Sequence, residues 1–160
     1  MANKVDTHEL ITPSPAQFAA CDGFAIRTGD AFALIGRVLL GWLFLMSWPK
    51  LVSIAGFTGY LVALKVPAPE FFAWVAAIAE MVIGITLILG IATRYGALLG
   101  LVFIVIATAL AHRYWEYPAA QQIGQYINFL KNLSTGGGLL LLFVTGAGRF
   151  SVDGWLRKRG

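Results

Sequence analysis

Cysteine and histidine are almost missing from this chain: Cys21 stands alone, and His8 and His112 are the two histidines. A lone cysteine cannot cycle an internal disulfide or hold a cysteine-ligated cluster, which argues against thiol relays and iron–sulfur centres. His8 lies in a polar N-terminal segment and His112 at the end of an apolar run, so a haem held by both is equally disfavoured. No cofactor is implied as a covalent group, and no haem is expected. Charge is scarce too. Only 12% of the 160 residues are Asp, Glu, Lys or Arg, against 58% hydrophobic, and mean hydropathy is +0.74. That balance is wrong for an ordinary soluble domain and fits one compact membrane domain. A net charge of +4 and a pI near 9.5 come from basic residues scattered over loops and the C-terminal tail. No basic stripe forms, so nucleic acid is not an expected partner.

Four apolar runs follow one another. The most informative is Phe71 to Ile91, which is apolar throughout except at Glu80. At about 1.5 Å per residue it matches a hydrocarbon layer roughly 30 Å thick, with Glu80 near the middle. Ala73, Ala76, Ala77, Gly84 and Leu87 share its helical face, and small residues there predict close approach of another helix. Glu80 is therefore expected to face protein, where a carboxylate needs a partner or a job.

Residues 1–29 contain no apolar core of signal-peptide length and are expected to form a cytoplasmic arm. The first span is expected over Ala31 to Trp48, with one charge, Arg37, and with Pro49 and Lys50 ending it at the far interface. Leu51 to Leu64 is too short to cross and carries Gly56 and Gly59, which predicts an interfacial or re-entrant segment between the first and second spans. The short Ala92 to Tyr95 connection makes the second and third spans antiparallel neighbours, the third covering Gly96 to Ala111. The aromatic run His112 to Tyr117 marks an interface. The fourth span is expected from near Gln125 to near Gly146. On it Gln121, Gln125, Asn128, Asn132 and Thr135 form a polar stripe that must enter the bundle, with Lys131 a quarter-turn away. The fold class is thus an all-α membrane protein, a four-transmembrane-helix bundle over residues 30–148, followed by a basic tail over 149–160.

With four spans, Lys4, Arg27, Arg94, Arg149, Arg157, Lys158 and Arg159 fall on one side, and Lys50, Lys65, Arg113 and Lys131 on the other. The excess predicts both termini in the cytoplasm of a multi-pass inner-membrane protein.

The pieces LIGRVLLGWLFLMSWPKL, AEMVIGITLILGIATR, IATALAHRYWE and FLKNLSTGGGLLLLFVTGAGRFSVD, in that order between about Ile35 and Asp153, resemble the DoxX family of small four-helix bacterial membrane proteins. The resemblance implies a membrane bundle related to a small subunit of thiosulfate:quinone oxidoreductase and associated with membrane redox complexes. If the chain is enzymatic, it would be as such a membrane subunit. No residue is singled out as catalytic.

Two constellations carry the candidate site. Arg37 and Glu80 fall close enough in depth on antiparallel helices to form an intramembrane charge pair, the alternative for Glu80 being a proton site or a group that meets substrate. At the outer end Trp48, Lys50, His112, Arg113, Tyr114, Lys131 and Asn132 reach similar depth. They form either a pocket for a quinone head or small sulfur oxyanion, or an aromatic belt with snorkelling lysines. Lining one pocket, Lys50, His112 and Lys131 would repel each other and call for a bound ligand to offset them. His112 and Glu116 have the i, i+4 spacing of a metal pair, but two ligands are too few to expect a metal. Ser151 and Asp153 suit turn and cap chemistry. The expected function is a redox-linked membrane subunit binding a quinone or sulfur oxyanion. The alternatives are a structural subunit of a larger complex and, more remotely, a small transporter. Membrane lipid, other subunits or further copies of the chain are the expected partners.

Overall fold

The computed structural model describes residues 15–159, with side chains from Asp22 onward; Lys4, His8 and the Cys21 side chain lie outside the described residues. The described residues form α1 (Pro15–Leu45), α2 (Pro49–Val52), α3 (Ile54–Ala63), α4 (Pro69–Leu89), α5 (Thr93–Ala111), a 3₁₀ turn (Tyr114–Glu116), α6 (Ala119–Thr145) and α7 (Val152–Leu156). No strand occurs among them, and four helices are long and apolar enough to cross a membrane. The long helices α1, α4, α5 and α6 pack as a ring, α1 against α4, α4 against α5, α5 against α6 and α6 back against α1. Phe44, Ile83, Leu87, Ala97, Ile104 and Leu139 fill its centre.

Small residues set how closely the helices meet. A Cβ on Gly41 would lie 2.7 Å from the Gly84 carbonyl oxygen and 2.6 Å from Ile88 Cγ1, so α1 and α4 cross in backbone contact. That crossing also fixes depth. With Gly41 opposite Gly84 and Leu45 against Gly84, α1 ends beside the middle of α4 rather than at its far end. The chain then turns through Met46–Trp48, where Ser47 and Trp48 donate to the carbonyls of Phe44 and Leu45 in tight i→i−3 bonds. Pro49, which has no N–H to continue the ladder, opens α2. After Ser53, α3 runs on along the Pro69 half of α4, where Tyr60, Leu61 and the following Leu64 line the same cleft as Phe72 and Ala76. The helix is therefore broken into two pieces, with the break level with the middle of α4.

This corrects the placement of Pro49 and Lys50 at the far interface: they lie at the level of Glu80, near the middle of the 21-residue α4. The expected extra segment between the first two long helices is α2 with α3. Non-helical backbone at such depth is tolerated where it lines a protein cavity, and this one does. A second difference concerns the arm. The α1 helix is continuous from Pro15, with no backbone break near residue 29.

At the opposite end, a cap closes the bundle. Arg37, 1% exposed, donates through Nη1 to the carbonyls of Leu87 and Ile88, both 3.0 Å away, and through Nη2 to that of Phe150. Those α4 carbonyls are the groups a helix C-terminus leaves without partners, and a cation there also complements the helix dipole. Gly90 follows with φ 68, and a side chain there would strike the Arg37 guanidinium. Asp153 accepts from the backbone N–H groups of Ala92 (2.8 Å) and Thr93 (2.9 Å), capping α5, while Ser151 accepts from Gly154 N as the N-cap of α7. Burial pushes the Asp153 carboxyl up, but the Thr93 and Ala92 N–H groups and the Arg157 charge outweigh it and hold it below the ordinary carboxylate value.

Candidate functional site

Because α3 is short and begins level with the middle of α4, the half of the ring away from the Arg37 cap is hollow. A cleft of about 940 Å³ opens between α1–α3, α4, α5 and α6. Its floor is the helix break. There Glu80, 6% exposed, accepts from Lys50 Nζ at 2.7 and 2.8 Å through both carboxylate oxygens and from Ser47 Oγ at 2.8 Å. The ammonium also lies 4.9 Å from the centre of the Phe57 ring. Among the described residues Lys50, which lines the cleft, meets acceptors only on Glu80, so one of its three N–H groups has no protein oxygen to bond. Phe44 and Phe103 meet edge to face at 6.3 Å beside this floor, and Phe72, Tyr60 and Leu64 continue the walls outward.

The rim is polar, but its groups bond to each other. His112 Nδ1 is 2.8 Å from Gln125 Oε1, Asn132 Nδ2 donates to Thr108 Oγ1 at 2.9 Å, and Lys131 Nζ donates to Asn128 Oδ1 at 3.1 Å. The α6 stripe thus reaches α5 through Gln125 and Asn132, while Thr135 is buried and bonds back to the Lys131 carbonyl of its own helix.

Arg37 and Glu80 are both buried, but they are not a pair. Each has a nearer partner on its own level: the α4 terminal carbonyls for Arg37, and Lys50 for Glu80. Nor do the outer residues form one cluster. Lys50, His112, Lys131 and Asn132 line the cleft at different depths, whereas Trp48 is half exposed outside it. Arg113 pairs with Glu116 at 3.2 Å and borders a separate hollow of about 310 Å³ with Lys65 and Tyr117. Tyr114 packs on Trp115, Tyr126 and Phe129. The expected repulsion among three cations is absent, because Glu80 neutralises Lys50. His112 and Glu116 turn to different partners, and no group of three His, Cys, Asp or Glu side chains gathers among the described residues. Ser47, Phe57 and Thr108 were not singled out from sequence. Ser47 had a signal, being the one hydroxyl in the first apolar run.

A family model described as DoxX matches residues 32–113, just over half of the chain, from the second half of α1 through α5 with the break between. The chain belongs to the DoxX family. Two inner membrane proteins of Escherichia coli K12 are similar to it along most of their length. YphA is 32% identical over 121 residues, 75% of this chain and 86% of YphA, and YqjF is 32% identical over 131 residues, 81% of this chain and 95% of YqjF. No solved structure matches. The DoxX match contains Lys50, Glu80 and His112, hence the cleft floor, and Arg37 of the cap, whereas Phe150, Ser151 and Asp153 of the cap and Lys131 and Asn132 on α6 fall beyond it. Four apolar helices and membership of this family make the chain a membrane protein in contact with lipid.

Proposed function

We propose that this DoxX family protein is a membrane subunit that binds a quinone in its outer cleft and works beside a redox partner that supplies the electrons. The single observation behind the reading is the cleft itself: about 940 Å³, apolar along its walls, and floored by the Lys50–Glu80 ion pair level with the middle of α4. Ligand sites of this kind combine an apolar body with a few convergent polar groups. A small sulfur oxyanion suits it less, since the space is far larger than such an ion and Lys50 is already neutralised by Glu80. The helix break adds support, because interrupted helices near the bilayer midplane commonly build binding sites. The proposed orientation, from the placement of basic residues, has both termini cytoplasmic in the inner membrane. Cysteines introduced at positions 65 and 158 should then label from opposite sides.

The test is to purify the protein in native lipid and measure extracted quinone by its ultraviolet spectrum and by mass. About one quinone per chain supports the reading. Phospholipid acyl chains alone in the extract, or a stoichiometric protein partner with no quinone, would overturn it in favour of a structural subunit.

A further inference from the structure

Resting on that quinone reading, we propose that the ligand binds head-first at the floor of the cleft, its ring carbonyl accepting the remaining N–H of Lys50, and not at the basic rim. Three observations converge. At the rim, Lys131 is exposed and bonded only once, to Asn128, so its ammonium is less fixed than that of Lys50, and His112 and Asn132 are each already engaged with α6 or α5. At the floor, Lys50 has a donor to spare, and its ammonium is held in place by both oxygens of Glu80, itself fixed by Ser47. An acceptor arriving there gains a charge-assisted bond without breaking the pair, in surroundings where such a bond is strengthened by the low dielectric. The floor is also walled by flat rings, Phe57 beneath Lys50 and Phe103 across from it, which suits a planar head through offset or edge-on contact. A head with acceptors and no donors is the oxidised form of a quinone, so that form is the chemical class the floor selects. The apolar tail then follows the walls of Tyr60, Leu64 and Phe72 outward. Glu80 has a positioning role, since it orients Lys50.

The experiment uses the full chain in nanodiscs of neutral phospholipid and two probes. The first is a decyl benzoquinone, titrated by equilibrium binding to wild type, to Lys50→Met with Glu80→Met, and to Lys131→Met. Removing both members of the pair leaves no buried charge unpaired, and circular dichroism checks that the variant is folded. Loss of one hydrogen bond to a charged donor should weaken binding about tenfold or more in the double variant, with less than a threefold change in Lys131→Met. The second probe, a decyl benzoquinone carrying a ring azide, is photolysed on the wild-type chain and so does not depend on any variant folding. Label is expected in residues 43–57 or 79–107. Label confined to 112–132, or a loss of binding in Lys131→Met with none in the double variant, overturns the floor assignment while leaving the quinone reading standing. Failure of wild type to bind the probe at all overturns both.

Discussion

Replacing either member of the Glu80–Lys50 pair alone should be far more damaging than replacing both. Glu80 is 6% exposed and accepts three hydrogen bonds, so Lys50→Met leaves a carboxylate at mid-depth with only Ser47 to bond it. Breaking a buried pair from one side costs about 3–5 kcal/mol, whereas exchanging both partners for apolar residues of similar volume is often neutral. Lys50 keeps about a third of its side chain exposed to the cleft, which places Glu80→Met at the lower end of that range. The double variant should fall within about 1 kcal/mol of wild type, giving a coupling energy of roughly 5 kcal/mol or more. Reversible unfolding in mixed micelles, followed by tryptophan fluorescence, measures all four corners of the cycle. The same cycle run on Arg37 and Glu80 serves as control. Arg37 bonds at Leu87 and Ile88, about 11 Å along α4 from Glu80 at 1.5 Å per residue, so those two substitutions should add to within about 0.5 kcal/mol. Additive Lys50 and Glu80 effects, or strong coupling of Arg37 to Glu80, would refute the pairing.

Arg37→Met removes three bonds to carbonyls and should cost about 3 kcal/mol, with new protease cleavage near Arg149 as the cap comes loose. The Asp153 carboxyl is held below its ordinary value, so its stabilising contribution is complete above about pH 4 and is lost as pH falls through the lower folded value. Asp153→Asn should flatten that acid limb of the stability profile, and an unchanged limb would contradict the cap. Gly41→Ala forces α1 and α4 apart, and a drop of about 1–3 kcal/mol in the same unfolding assay is expected.

Much of the architecture was legible in the sequence because a bilayer leaves few choices. Apolar run length gave the four long helices, the Ala92–Tyr95 connection gave the antiparallel α4–α5 pair, and small residues around Glu80 marked the face that packs. Depth was not legible. Hydropathy counts apolar residues without saying where the backbone stops, and Trp48, Pro49 and Lys50 imitate an interface while sitting at the middle of α4. The partner of Arg37 was missed for a related reason. Charges invite pairing with charges, yet the unpaired carbonyls ending α4 lay nearer than Glu80. With Lys50 put at the wrong depth, the outer residues read as one cluster, when the fold divides them among a floor, a rim and a separate aromatic group.

The cleft exists because the first helix breaks level with the middle of α4, which in a bilayer puts Val52 deep in the hydrocarbon. A nitroxide at Val52, which is 75% exposed beside the break, reports that depth directly through the balance of its collisions with oxygen and with a water-soluble nickel chelate in a bilayer. A label at Lys65, past the end of α3, gives the interface reference. Position 52 should show high oxygen and low nickel accessibility, at least about 10 Å deeper than position 65, given the length of α3 at 1.5 Å per residue. Equal depths at the two positions would contradict it.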